Sequence, residues 1–171
     1  MLYTVHANNG VNHQFNLIFV VNQGFAGNLY DPPTSITLTC IINNAPPCKE
    51  LTHLFTNLAK LAAKPFSKGD SAPNLVENTA SSMLLKKVIA KDEKRAEKGE
   101  ETFSSHLLTA LEEESVESYL ACNRGCFLLV NLIDTGIPEV KEVVRGKVKP
   151  YIKTVKSQDT PGAKLLLSKL E

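Results

Sequence analysis

Long apolar runs are missing from this chain. The stretch Leu17–Val21 is far shorter than the roughly 20 residues a helix needs to cross a bilayer, so no membrane-spanning segment is expected. The N-terminus has no basic stretch leading into a long apolar one, which argues against a secretory signal. An intracellular chain with reduced thiols is therefore expected. The four cysteines, Cys40, Cys48, Cys122 and Cys126, are read as free thiols. There is no glycine-rich phosphate loop. His6, His13, His53 and His106 are isolated, and no Ser–His–Asp logic connects them. Residues 1–47 have almost no charge: Asp31 stands alone among eight asparagines. No cofactor is implied by any of these features.

What charge there is lies in blocks. The chain is nearly neutral, at +1, so net charge by itself selects no partner. Residues 51–100 are rich in lysine, residues 101–135 are acidic apart from Arg124, and residues 136–171 are basic again. This asymmetry hints at an anionic partner, set against the ordinary reading of charge runs as solvated surface. Glu112, Glu113 and Glu114 are adjacent, and neighbours on a helix point in different directions. They read as a solvated helix end rather than an acid–base pair.

The chain divides near residue 48. Residues 1–47 read as irregular or weakly β, with strands expected over Phe15–Val21 and Ser35–Ile42, because the latter alternates and is β-branched. From residue 48 the apolar residues recur at helical spacing. Leu51, Leu54, Phe55, Leu58 and Leu61 stripe one helix, stopped by Pro65 and Gly69. Asn78 or Thr79 opens the next, with Met83, Leu84, Val88 and Ile89 on its buried face and Gly99 as its stop. Its charged end, Lys91–Lys98, should project into water. Phe103, Leu107, Leu108 and Leu111 mark a third helix, Val116–Ala121 a short fourth, and Asn123–Leu132 a fifth. Pro138 opens a sixth with Val140, Val143, Val144 and Val148, which Pro150 kinks or splits. Thr160 or Pro161 opens the last, with Leu165, Leu166 and Leu170.

Three of these helix starts superpose: 79-TASSMLLKKVI-89, 123-NRGCFLLVNLI-133 and 160-TPGAKLLLSKL-170. Each has a small residue in third place (Ser81, Gly125, Gly162) and leucine three and four residues later. A period of roughly forty residues marks a stacked helical array, in which each unit buries its apolar face against its neighbours. Within this frame Cys122 and Cys126 have two readings. Four-residue spacing suits a metal site, but structural zinc needs four ligands, and Cys40, Cys48, His53 and His106 offer no motif spacing. The other reading makes them small, partly buried residues at a helix start. A thiol activated by Arg124 and the helix N-terminus is a third, smaller alternative.

From about Lys49 to Glu171 the chain resembles the C-terminal CPL domain of the nucleolar Pumilio-like proteins of the Puf-A/Penguin family. The matching pieces are Ala121-Cys-Asn-Arg-Gly-Cys126, Glu139-Val-Lys141 with its lysine-rich continuation, Gly162-Ala-Lys-Leu-Leu-Leu-Ser-Lys-Leu170, and Glu77 to Ile89. Residues 1–47 do not resemble that family and are expected to be a divergent or wrongly assigned beginning. The resemblance implies an all-α, Pumilio/armadillo-type helical repeat, the end of an α-solenoid. It implies a nuclear, nucleolar, non-enzymatic protein that binds RNA, or DNA, with little sequence preference. The implied roles are ribosome biogenesis and translational regulation, with pre-ribosomal proteins as further partners. A helical scaffold that docks such proteins without touching RNA is the competing reading.

Sequence-reading Pumilio repeats place base contacts at fixed positions of one helix. By the resemblance these are Ser82, Met83 and Lys86, then Cys126, Phe127 and Val130, then Ala163, Lys164 and Leu167. Val130 and Leu167 cannot bond base edges, so a one-base-per-repeat code is not expected. Binding would then rest on phosphate contacts. The candidates are Lys86, Lys87, Arg124, Lys141, Arg145, Lys149 and Lys153. The last four are spaced by four, which aligns them on one face if Pro150 does not interrupt the helix. Arg124 is equally suited to pairing with Glu117 or another nearby carboxylate.

Overall fold

The computed structural model describes residues 29–67 and 74–170. They form ten α-helices: α1 Pro32–Asn44, α2 Lys49–Ala62, α3 Thr79–Ile89, α4 Asp92–Glu97, α5 Phe103–Ala110, α6 Glu113–Leu120, α7 Asn123–Ile133, α8 Pro138–Val148, α9 Ile152–Lys156 and α10 Pro161–Leu170. A 3-10 turn over Lys149–Tyr151 separates α8 from α9. Pro150 therefore interrupts the helix, as its missing N–H requires. None of the described helices is long and apolar enough to cross a membrane.

Two layers result. In one, α1 packs on α3, α3 on α7, and α7 on α10; in the other, α2 packs on α5 and α5 on α8. The leucine-rich starts at Ser81, Gly125 and Gly162 thus lie side by side in a single layer, as the repeat required. Close approach explains the small residues. A Cβ on Gly125 would stand 2.2 Å from the Tyr119 carbonyl oxygen, and one on Gly162 would stand 2.5 Å from that of Asn123. Asn123 Oδ1 also accepts from the Gly162 N–H at 2.8 Å, which pins the start of α10 to the start of α7.

The layer has a fourth member, which corrects the expectation of a strand at Ser35–Ile42. That segment is α1. Asp31 accepts from the Thr34 N–H and prolines occupy the first turn, a start signal that outweighs β-branched content. Thr37 and Thr39 donate back to the carbonyls of Pro33 and Ser35, as helical threonines do. Ser35, Leu38, Thr39 and Ile42 are buried, at helical rather than alternate spacing. α1 also repeats a device of the next unit. Ser35 Oγ donates to the Leu29 carbonyl six residues back at 2.6 Å, and Ser81 Oγ to that of Leu75 at 2.7 Å. Leu38 and Ile42 lie in the core that continues through α2 to α10. The division near residue 48 thus falls between two helices of one packed body. The strand expected over Phe15–Val21 lies outside the described residues.

A second correction concerns Lys91–Lys98. Rather than projecting wholly into water, this run folds as α4 and buries an ion pair, with Asp92 fully buried and Arg95 nearly so. Asp92 accepts from the backbone N–H groups of Phe103 (3.1 Å) and Ser104 (2.7 Å) and from the Ser104 hydroxyl (2.5 Å). It thereby satisfies orphan donors at the start of α5, where a negative charge is also favoured by the helix dipole. Arg95 donates to Asp92 (3.1 Å), to the Ile42 carbonyl of α1 (2.9 Å) and to the Val88 carbonyl of α3 (3.4 Å). Its guanidinium lies over the Phe55 ring of α2, 5.1 Å from the centroid.

The other end of α2 is closed by α6, which begins at Glu113 rather than Val116. Tyr119 donates to the Ala62 carbonyl at 2.9 Å, Ser115 donates to that of Ala63, and Ser118 accepts from the Phe66 N–H at 3.0 Å. These groups otherwise lack partners where α2 stops. Burial pushes the Tyr119 phenol well above its usual range, so it stays a donor.

Removing one member of a buried pair strands the other. Arg95→Ala should lower the unfolding free energy by about 3–5 kcal/mol in urea denaturation. Replacing both, as Asp92→Leu with Arg95→Met, should cost less than the sum of the single changes. A single-substitution cost below about 1 kcal/mol would show the pair to be incidental.

Candidate nucleic-acid interface

The seven cationic candidates do not share a surface. Lys86 and Lys87 close the last turn of α3, where a cation is favoured by the dipole, and both are exposed. Lys86 lines a groove between α3 and α7 with Met83 on its own side and Arg124, Phe127 and Asn131 opposite. Lys87 lines the adjoining groove between α1 and α3. Arg124 is exposed but tethered. It donates to the Glu77 carbonyl and, at 2.9 Å, to Thr79 Oγ1. Its partners are thus a backbone oxygen and a hydroxyl at the start of α3, and neither is the carboxylate of the pairing alternative.

The other four belong to the α8 side. Lys141 and Arg145 are half-buried on α8, and Arg145 is paired with Glu142 at 3.3 Å. Lys149 lies in the 3-10 turn and Lys153 on α9, both exposed. The break at Pro150 separates them from the α8 face, so the four do not form one straight ladder. Nearby Lys147 is engaged with the Leu111 carbonyl at 2.6 Å. The first turn of α6 carries Glu113 and Glu114, both exposed, where the helix N-terminus favours them. Desolvation, and after it the Glu117 and Glu113 carboxylates, hold the Tyr151 phenol above its ordinary range, so an acidic edge borders the cations.

No protein-family model matches the chain. Pumilio homolog 3 of Mus musculus is 30% identical over 118 residues, covering 66% of this chain and 18% of that protein. Protein penguin of Drosophila melanogaster is 31% identical over 100 residues, covering 56% and 13%. The crystal structure of human Puf-A matches with a TM-score of 0.79 at 22% identity, covering 97% of this chain and 34% of that one. Human Puf-A in complex with DNA gives a TM-score of 0.75 at 20% identity, covering 96% and 33%. The chain is a homologue of the Puf-A and Penguin proteins. Its fold is the Pumilio-type helical repeat. It spans less than a fifth of the curated relatives' length.

In this Puf-A/Penguin relative three of the nine positions that correspond to base contacts are closed. Cys126, Val130 and Ala163 are buried in the core, and Leu167 is partly buried against it. Ser82, Met83, Lys86, Phe127 and Lys164 keep some exposure. Three of the helices' expected core residues instead face solvent: Met83 is 47% exposed, Val143 43% and Leu165 38%.

Cys122 and Cys126 have distinct structural roles. Cys122 is the N-cap of α7, its Sγ accepting from the Gly125 N–H at 3.2 Å. Cys126 is buried, with Sγ 3.7 Å from the Leu120 carbonyl six residues back, in the manner of Ser35 and Ser81. Burial pushes the Cys126 thiol up to about 11 and also raises Cys122, outweighing Arg124 and the helix-start N–H groups. That is the opposite of an activated nucleophile. Among the described residues no group of three or more His, Cys, Asp or Glu side chains converges as a metal site.

A cap and a ligand respond differently to serine. Cys122→Ser should leave stability unchanged or higher, whereas Cys122→Ala should cost about 1 kcal/mol. Thermal melts should also be indifferent to a zinc chelator. A loss of stability on chelation, or on the serine change, would return these thiols to a metal.

Proposed function

We propose that this chain is a non-enzymatic nucleic-acid-binding module that holds RNA through its phosphates with little sequence preference. DNA is accommodated by the same contacts. It serves within a nucleolar Pumilio-like protein, in pre-ribosomal assemblies and in translational control. The observation that carries the reading is the pair Lys149 and Lys153. Both are exposed on either side of the Pro150 break, and neither is bound to a carboxylate among the described residues. Cations so placed attract a phosphate backbone and release its counterions. Burial of Cys126, Val130 and Ala163 supports the absence of a base code, since a buried side chain cannot reach a base edge. The DNA complex of human Puf-A, a protein of the same fold, adds to the support. Lys141 and Arg145 lie along α8 next to this pair, whereas Lys86, Lys87 and Arg124 lie on the other layer, away from it.

The test is fluorescence anisotropy with a labelled single-stranded RNA and a DNA duplex across a salt series. Lys149→Glu with Lys153→Glu should weaken both complexes by roughly tenfold or more at low salt. The slope of log affinity against log salt should become shallower by about 2, one per lost phosphate contact. An unchanged slope would remove these lysines from the interface. Absence of binding by the parent at low salt would end the proposal.

A further inference from the structure

Three apolar residues form a row across three neighbouring helices of the first layer: Ile36 of α1, Met83 of α3 and Phe127 of α7. Ile36 is 58% exposed and Met83 47%. Phe127 is half-buried. Beyond these the described residues expose Val143, on the other layer, and Leu165 of α10, whose counterpart in the repeat, Leu84, is buried. Met83 ties the row together: it lines one groove with Ile36 and the next with Phe127.

We propose that this row docks an extended acidic–apolar peptide segment from a protein partner. Charge selects the occupant. The charged side chains in the two grooves are Lys86, Lys87 and Arg124, and no carboxylate lines either. A second copy of the chain is disfavoured, because a two-fold contact would set the same cations against each other. Single-stranded RNA suits the row less well. Bases stack on aromatic rings, and two of the three ridge residues are not aromatic. Pitch selects the conformation. Packed helices lie about 8–10 Å apart. A polyproline-type strand advances about 9 Å in its three-residue turn and presents every third side chain on one face. The ligand therefore carries an apolar residue at every third position, with Asp or Glu between. This surface is separate from Lys149 and Lys153, so it can exist whether or not those lysines hold RNA.

The probe is a random peptide library displayed on phage and selected on the full chain. Selected peptides are then measured by anisotropy against the parent, Met83→Asp and Lys87→Glu. The recovered sequences should show the three-residue apolar spacing with acidic residues between. Met83→Asp should weaken them at least tenfold and Lys87→Glu several-fold, with helicity and melting temperature retained because both sites are exposed. Affinity for single-stranded RNA should be unchanged in Met83→Asp. Several results would overturn the proposal: no selected peptide depends on Met83, or the selected peptides lack acidic residues. RNA affinity falling with peptide affinity would make the row a nucleic-acid surface. A dimer in sedimentation that Met83→Asp dissolves would make it a self-contact.

Discussion

The buried carboxylate–guanidinium pair in α4 is the constraint on which the rest of the structure hangs. α4 has only six residues, too few to be helical by itself. It forms because Asp92 and Arg95 have partners waiting in four helices, α1, α3, α5 and α2. A buried ion pair contributes little net stability compared with well-packed apolar groups. What it supplies is geometry. The carboxylate fixes where α5 begins, and the guanidinium fixes where α1 and α3 end relative to each other. The two layers are thereby joined at one point before any groove or surface can be defined.

Once those ends are set, the remaining freedom in the stack is how closely successive helices approach. The small residues near the helix starts decide it. Ser35, Ser81 and Cys126 each turn a short side chain onto a carbonyl six residues back, so each unit folds over its own lead-in. Gly125 and Gly162 leave no room even for a methyl group. The helices are thus held by their first turns, and residues just beyond, such as Ile36 and Met83, face outward. Exposure of Met83 and Leu165 is a consequence of the same packing that buries Leu84 and Leu166 beside them.

Much of this was legible in the sequence. Apolar spacing located α2, α3, α5, α7, α8 and α10, and the offset of the small residues identified the layer. Pro150 marked its own interruption. α1 escaped because Ser-Ile-Thr-Leu-Thr-Cys-Ile-Ile fits a period of 2 as well as one of 3.6, and the deciding signals, Asp31 and the two prolines, are residues that mark turns as well as helix starts. The Asp92–Arg95 pair escaped because a run of alternating charges reads as solvated surface, and only tertiary contacts single out two members of it. The thiols were ambiguous by spacing, and burial decided them. The cations were legible as charge but not as surfaces. Which layer each lysine belongs to depends on helix order in space, which periodicity does not carry.

That separation of layers has a functional consequence. A phosphate-binding patch needs cations at a surface but no fixed register, because backbone charge repeats along any strand. Lys149 and Lys153 can serve on a 3-10 turn and a five-residue helix, where geometry is loosely defined. An apolar row is different. Its spacing is set by helix packing and can match only a ligand of similar repeat. In this chain the surface without register lies at the end of one layer, and the surface with register crosses the other. Cys126, Val130 and Ala163 are buried beside the second surface and cannot reach a base edge, which suits that surface to side chains rather than bases.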